Sequence, residues 1–262
     1  MKITLFTSNN QRHNYLINLL SNSCDELWVV QESKTLFTEE NDKKYQKSEI
    51  IKNYFENVRE AQNRFFNKEY KNTYSKNVKT LPILNGELNN LSLLYLDDFL
   101  KSDIYIVFGS SYIKGELLDF LVKNKAINIH AGVSPYYRGS DCNFWALYDD
   151  NPHLVGSTIH LLSKGLDSGH ILYHAMSNIK TNPFEYTMST LKAAFHSIVK
   201  RIQDTSIFKI NPVAQNKSKE IRYSRKNEFN EDIVRKYLKK EINLNSKKFD
   251  NSLLKEPFFL NN

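Results

Sequence analysis

The sequence has few cysteines, few glycines and no long hydrophobic run. Two cysteines among 262 residues cannot build the disulfide framework of a small secreted module, and they fit no CxxC metal motif. Only 8 residues are glycine, well below the usual share of about 7%. No apolar stretch approaches the roughly 18–20 residues that cross a bilayer, and residues 1–10 do not read as a signal peptide. We therefore expect a cytoplasmic protein without membrane spans or a metal site.

The net charge of +7 comes entirely from the last quarter of the chain. Residues 1–199 hold 21 basic and 21 acidic residues, whereas residues 200–262 hold 15 basic and 8 acidic residues. A basic tail can contact a nucleic acid or a phosphate, or it can be a solvated lysine-rich surface. This tail has no RNP motif, no zinc-finger spacing and no run of five basic residues. The pattern favours the solvated surface and argues against a nucleic-acid partner.

Strand and helix patterns alternate over residues 1–203. Short apolar runs predict strands at residues 2–6, 26–31, 78–84, 104–108, 126–130, 155–162 and 171–179. A helical period of apolar residues predicts helices at residues 11–20, 115–122 and 184–203. This order predicts an α/β fold with a Rossmann-like, open, mostly parallel sheet, forming one domain over residues 1–203.

Two other segments are amphipathic. Residues 39–76 are polar but keep a helical period, which predicts one or two helices of undetermined role. Residues 204–262 predict a short C-terminal α+β extension: a hairpin formed by residues 207–213 and 221–225, then a helix capped by Asn230. The apolar face of that helix could form a homodimer contact, or it could close over the core.

Polar motifs follow the predicted strands at the edge where open α/β sheets bind ligands. Asn128 and His130 end one strand and, being two residues apart, lie on the same face of the sheet. The rigid turn at residues 135–139 follows. The motifs G-x-T-x-H at residues 156–160 and L-D-x-G-x-I at residues 166–171 come next. His160, in the first of these, could neighbour Asp167 or be a buried structural histidine.

The series N-I-H-x₄-P-x-Y-R-G, G-x-T-x-H and L-D-x-G-x-I resembles the catalytic core of the formyltransferases that use N10-formyltetrahydrofolate. The resemblance implies that the Asn128 amide holds the formyl oxygen and that His130 stabilises the oxyanion and moves protons. It implies proton transfer by Asp167. An amine that attacks a formyl carbon needs donors at the developing oxyanion and an acid–base pair, but no metal.

The resemblance also implies a folate-binding surface made of main-chain groups in two loops. The positions are Ser110, Ser111, Tyr112, Ile113 and Lys114 in one loop, and Ser163, Lys164 and Gly165 in the other. One position departs from the family pattern, because Gly132 stands where many members have serine. A substrate-side hydrogen bond is therefore in doubt there, and glycine would permit a positive φ. Cys142, beside this loop, is interpreted as a packing residue.

The formyl acceptor is the least determined part of the resemblance. The purine-pathway enzyme, which formylates glycinamide ribonucleotide, has a glycine-rich loop where residues 7–13 have none, and methionyl-tRNA formyltransferase has a larger C-terminal domain. The sugar N-formyltransferases fit better, which implies a nucleotide-linked amino sugar with Arg12, Tyr136 and Arg138 as substrate-binding residues. A non-catalytic binding module is a further alternative, against which the intact Asn128, His130 and Asp167 argue.

Overall fold

The apolar runs form the strands of one large sheet in the computed structural model, which describes residues 1–33, 48–66, 75–242, 244 and 251–260. The strands are β1 (Lys2–Ser8), β2 (Glu26–Ser33), β3 (Val78–Leu84), β4 (Ile104–Phe108), β5 (Ile127–His130), β6 (Tyr137–Gly139), β7 (Ser157–Leu161), β8 (Ile171–Ser177), β9 (Arg222–Ser224) and β10 (Phe258–Leu260). The helices are α1 (Gln11–Ser21), α2 (Glu49–Phe66), α3 (Gly115–Lys123), α4 (Cys142–Tyr148), α5 (Pro183–Gln203) and α6 (Glu231–Lys239).

The main sheet has eight strands in the order β10-β8-β7-β5-β4-β1-β2-β3. Five adjacent strands, β3, β2, β1, β4 and β5, run parallel to one another. β7 is antiparallel to both β5 and β8, and β10 lies parallel to β8. The predicted α/β fold with an open, mostly parallel sheet is therefore confirmed.

Helices cover both faces of this sheet. The apolar sequence of β4 agrees with this arrangement. Every residue of β4 (IYIVF) is buried, as expected for a parallel strand that has helices on both sides. On one face Leu16 and Phe195 belong to a large core shared by α1 and α5, and on the other Leu117 and Leu121 of α3 pack in a smaller core. In the part of the chain that the structure describes, no helix combines the length and apolarity needed to cross a membrane.

α2 is the described part of the amphipathic segment at residues 39–76; residues 39–47 and 67–74 lie outside the described residues. Its buried residues are Tyr54, Ala61, Gln62 and Phe66, and the helix packs against α1, α5 and α6. The Tyr54 ring contacts the aromatic rings of Phe55, Phe144, Phe184, Phe229 and Tyr237. This aromatic cluster fixes α2 beside the carboxyl edge of the sheet.

The predicted hairpin in the extension is wrong. Instead, β9 pairs in parallel with β6, and Val213 forms an antiparallel bridge with Ile171. Seven residues separate Val213 from Ile221, more than the about 2–5 residues of usual hairpin loops, and each segment pairs with the domain instead. Asn230 caps α6 as predicted by accepting a hydrogen bond from the Ile233 amide at 3.1 Å.

The apolar face of α6 closes over the core. Val234 and Tyr237 are buried, and the helix contacts α2. A homodimer contact through this helix stays a prediction, as does the domain boundary at residues 203–204. β10, near the end of the described chain, is a strand that the sequence patterns did not predict.

Candidate active site

A cavity of about 950 Å³ opens beyond the carboxyl ends of the central strands. Its walls are the loops after β1, β4 and β5, the loop before β8, and one side of α2. Arg12 lies on one wall, and His130 and Asp167 lie on another. This is the edge at which open α/β sheets bind ligands.

The structure brings Asn128, His130 and Asp167 together in this cavity. The first two end β5, and Asp167 belongs to the turn between β7 and β8. The Nδ1 atom of His130 lies 3.3 Å from Oδ1 of Asp167. The same carboxylate oxygen lies 3.4 Å from Nδ2 of Asn128. One carboxylate therefore connects the amide and the imidazole.

His160 fixes the orientation of the Asn128 amide. Its Nδ1 atom is 2.8 Å from the carbonyl oxygen of Leu161, and its Nε2 atom is 2.9 Å from Nδ2 of Asn128. A carbonyl only accepts hydrogen bonds, so Nδ1 carries the proton and Nε2 of the neutral ring accepts from the amide N–H. His160 Nε2 is also 3.8 Å from Asp167 Oδ1. His160 is thus both buried and adjacent to Asp167.

The site holds an ionised carboxylate beside a neutral imidazole. Burial alone would raise the pKa of Asp167, but His130, His160 and the Gly139 backbone amide outweigh it and lower the pKa to about 2. Burial lowers the pKa of His130, and Asp167 offsets only part of that effect. Nδ1 of His130 lies 3.3 Å from the Asp167 carboxylate and Nε2 lies 3.3 Å from the Tyr137 carbonyl. The neutral ring has a single N–H and can donate to only one of these acceptors, so its other nitrogen can take a proton and then also has an acceptor beside it.

The backbone at position 132 has no positive φ, and glycine is required there because neighbouring side chains leave no room for a Cβ atom. The glycines with positive φ are Gly86, Gly109, Gly115 and Gly139. A Cβ at position 132 would lie 2.4 Å from Cβ of Cys142 and 2.7 Å from Nε2 of His130. Cys142 itself is buried, which raises the pKa of its thiol, as expected of a packing residue.

Most of the predicted folate-binding residues line the cavity. These are Ser110, Ser111, Tyr112, Ile113, Ser163 and Gly165. Lys114 and Lys164 lie outside the lining; Lys164 instead forms an ion pair with Asp119 at 2.8 Å. The Tyr112 hydroxyl donates to the Lys164 carbonyl at 2.8 Å and joins the two loops.

Glu32 supports the first of these loops and was missed in the sequence. This residue at the end of β2 is 1% exposed. Its carboxylate accepts hydrogen bonds from the Ser111 hydroxyl at 2.6 Å, from the Gly86 amide at 3.0 Å and from the Ser111 amide. Its only sequence signal is that an acidic residue directly follows the strand predicted at residues 26–31.

Of the three predicted substrate-binding residues, the structure brings only Arg12 to the cavity. Arg12 donates to Oε1 of Gln62 on α2 at 2.8 Å. The Tyr136 hydroxyl donates to the Leu253 carbonyl at 3.3 Å, away from the cavity. Arg138 is 9% exposed and bonds to Glu220 and to the Leu166 carbonyl, each at 2.9 Å. In this structure Arg138 holds the turn that carries Asp167.

Residues 99–207 match the sequence model of a protein family described as formyl transferase. This segment of the chain is therefore similar to the formyl transferases. The match contains Asn128, His130 and Asp167 and ends before most of the C-terminal extension. The resemblance inferred from the three motifs is therefore confirmed.

Curated relatives have formyltransferase names, and solved structures share the fold. The chain is 37% identical over 95 residues to a methionyl-tRNA formyltransferase from Finegoldia magna, covering 36% of this chain and 29% of that protein. It spans less than half the length of the curated relatives it matches. A 4-N formyltransferase from Francisella tularensis has a similar fold, with a TM-score of 0.53, 18% identity and coverage of 87% of this chain and 77% of that one. A sugar N-formyltransferase from a Shewanella species gives a TM-score of 0.52, 17% identity and coverage of 87% and 78%.

Proposed function

We propose that this formyltransferase moves a formyl group from N10-formyltetrahydrofolate to an amine. The observation that carries the proposal is the convergence of Asn128, His130 and Asp167 in one cavity, within the segment that matches the family. Residues 110–113, Ser163 and Gly165 line the same cavity, where their loops supply main-chain groups for the folate.

The geometry suits a direct transfer. The amine nitrogen attacks the formyl carbon, the bond from that carbon to N10 breaks, and the proton lost by the amine reaches N10. The neutral His130 accepts this proton on the ring nitrogen that carries none, and the ionised Asp167 stabilises the resulting imidazolium. The contact from Asn128 to Asp167, at 3.4 Å, is the weaker of the two amide contacts. A formyl oxygen can replace it and take the N–H as an oxyanion donor.

The test is release of tetrahydrofolate with each acceptor, measured for the wild type and for Asn128→Ala, His130→Gln and Asp167→Asn. We expect kcat to fall by about 10²–10⁴-fold in each variant, the usual cost of losing an oxyanion donor or an acid–base group. His196→Gln is the matched control, because His196 bonds to Tyr15 at 2.8 Å outside the cavity. Wild-type turnover in all three site variants would refute the assignment.

As the acceptor we propose a nucleotide-linked amino sugar. The cavity extends from His130 to the cations Arg12, Lys52 and Arg59 and to the aromatic rings of Phe55 and Phe229. Arginine suits a diphosphate, and aromatic rings suit the face of a base. The volume is at the upper end of the usual range for ligand sites, about 300–1,000 Å³, which leaves room for a donor and an acceptor together. The name of the Shewanella relative, a sugar N-formyltransferase, supports a sugar as the acceptor.

Thermal shifts with nucleoside diphosphates, in the presence of a stable folate analogue, test this acceptor. A ligand at 100 times its Kd stabilises the fold by about 2.7 kcal/mol. We expect one diphosphate to raise the Tm, and we expect Lys52→Gln and Arg59→Gln to weaken that effect. Arg235→Gln, on α6 and paired with Glu231, is the control. No response to any nucleotide would contradict this acceptor.

Methionyl-tRNA is the second candidate acceptor. The curated relatives are methionyl-tRNA formyltransferases, and residues 200–262 carry the chain's excess positive charge. A tRNA acceptor requires tight binding with a steep dependence on salt, because phosphate contacts release counterions. Weak tRNA binding with a flat salt slope would remove this candidate, and glycinamide ribonucleotide can be tested as a third acceptor in the same turnover assay.

A further inference from the structure

The turn at residues 166–169 carries Asp167 in a conformation that needs outside support. The φ angle of Asp167 is 46°, in the left-handed region that residues other than glycine adopt at an energetic cost. Such a conformation persists only where the surrounding structure holds it. The turn also lies at the surface, since Leu166 is 39% exposed. The groups that bind its backbone therefore decide where the carboxylate lies.

Gln215 is one of those groups. Its Nε2 atom donates to the Asp167 carbonyl and to the Gly169 carbonyl, each at 2.8 Å. One side-chain amide thus connects both ends of the short segment that contains the carboxylate. Its Oε1 atom is buried and has no hydrogen-bond partner among the described residues. The hydrogen bonds of this side chain are therefore all directed at the turn.

Arg138 gives a second support, and it too depends on the extension. Its Nη2 atom donates to the Leu166 carbonyl at 2.9 Å, and its Nη1 atom pairs with Glu220 at 2.9 Å. The guanidinium also lies over the Tyr223 ring, 5.5 Å from its centroid. Together, Gln215 and Arg138 bind the carbonyls of three residues of the turn.

The backbone around these groups is itself fixed to the catalytic domain. The amide of Ile171 donates to the Val213 carbonyl at 2.8 Å, and the reverse bond is 2.9 Å long. The amides of Ile221 and Arg222 donate to the Tyr136 carbonyl at 2.9 and 3.0 Å. The family match ends at residue 207, so this support comes from residues outside it.

We propose that Gln215 is a positioning residue for Asp167, and that residues 213–224 complete the active site by holding the turn at residues 166–169. The proposal rests on the proposed function. Gln215 does not line the cavity, so it acts on the reaction through Asp167 and not by contact with substrate. Without it, Asp167 moves away from His130 and Asn128, whereas the folate loops and the cations of the cavity keep their places.

The test compares Gln215→Met with Gln203→Met. Methionine has a similar length but removes both N–H donors without adding charge. Gln203 donates to the Ser23 hydroxyl at 3.1 Å at the end of α5, so it undergoes the same chemical change far from the turn. We expect Q215M to lower kcat by about 10–100-fold, since a displacement of about 1 Å can cost about 10²-fold. The KM for donor and acceptor should change by less than about twofold. Q203M should behave as wild type.

A second measurement does not depend on activity. In protein with labelled histidines, NMR reports the titration of His130, which Asp167, His160 and Arg138 face. Because Asp167 raises the pKa of His130, its displacement in Q215M should lower the His130 midpoint. Gln215→Lys restores donors to the two carbonyls and should recover kcat, although its added positive charge should keep the His130 midpoint low, as Arg138 also lowers it. If the wild-type protein transferred no formyl group, the proposed function would be wrong. The His130 titration would still test whether Gln215 positions Asp167. A Q215M protein with wild-type kcat and titration, or a Q215K protein with a kcat as low as that of Q215M, overturns the proposal.

Discussion

Adding one methyl group at Gly132 should damage both stability and catalysis. The new Cβ of Gly132→Ala would lie 2.4 Å from Cβ of Cys142 and 2.7 Å from Nε2 of His130. Neither contact can be tolerated at those distances, and Cβ of Cys142 is held at the start of α4. The methyl group therefore displaces the loop after β5, the imidazole, or both.

The expected magnitude follows from overpacking. An extra methyl group in a tightly packed core typically costs about 1–3 kcal/mol. Each kcal/mol lowers the Tm of a chain near this size by about 2–4 °C. A displacement of His130 by about 1 Å can lower kcat by about 10²-fold. Thermal unfolding and steady-state turnover measure the two effects in the same protein samples.

Two variants of Cys142 separate the contacts. In the Gly132→Ala background, Cys142→Ala removes only Sγ, which lies 3.2 Å from the added Cβ. Cys142→Gly also removes the Cβ that makes the 2.4 Å contact. We expect only the glycine variant to recover stability, while kcat stays low because the contact with His130 persists. Wild-type Tm and kcat in Gly132→Ala would refute this reasoning.

Two further predictions concern the carboxylates of the site. Because the pKa of His130 is lowered by burial and partly restored by Asp167, the acid limb of kcat should lie below pH about 6.5. Asp167→Asn should move that limb to still lower pH in the residual activity; a limb that moves upward would contradict it. Glu32→Gln leaves one acceptor oxygen for donors on Ser111 and Gly86, so the KM for the formyl donor should rise about tenfold at little cost in kcat. An unchanged KM would remove Glu32 from the folate site.

The parallel core of the fold could be predicted because its central strands, such as residues 104–108, are apolar runs. Residues 104–108 and 78–84 were predicted with the bounds that the structure has. The extension could not be predicted equally well. Residues 222–224 and 258–260 are three-residue strands, too short to show a period. Their pairing depends on edges that exist only in the folded domain.

Some residues of the candidate site could likewise be predicted from the sequence, and others could not. Asn128, His130 and Asp167 were predicted because they stand in motifs of recognisable order. Arg138 shared such a motif, but whether a cation faces a cavity or a carbonyl depends on Glu220, which is distant in sequence. Gln215 and Glu32 act through backbone groups, and such contacts leave no motif. The close approach at Gly132 likewise depends on Cys142, whose position is set by packing.

The pairing of β5 with β7 bears on how the sequence of this protein can change in evolution. Asn128 stands directly opposite His160 in the antiparallel register. Side chains alternate between the faces of a strand, so an insertion of one residue in β7 before His160 would move that histidine to the opposite face. Insertions or deletions should therefore be tolerated in the connections that precede β7 but not within β7. Homologues that differ in length should show their gaps before residue 157 and not within residues 157–161.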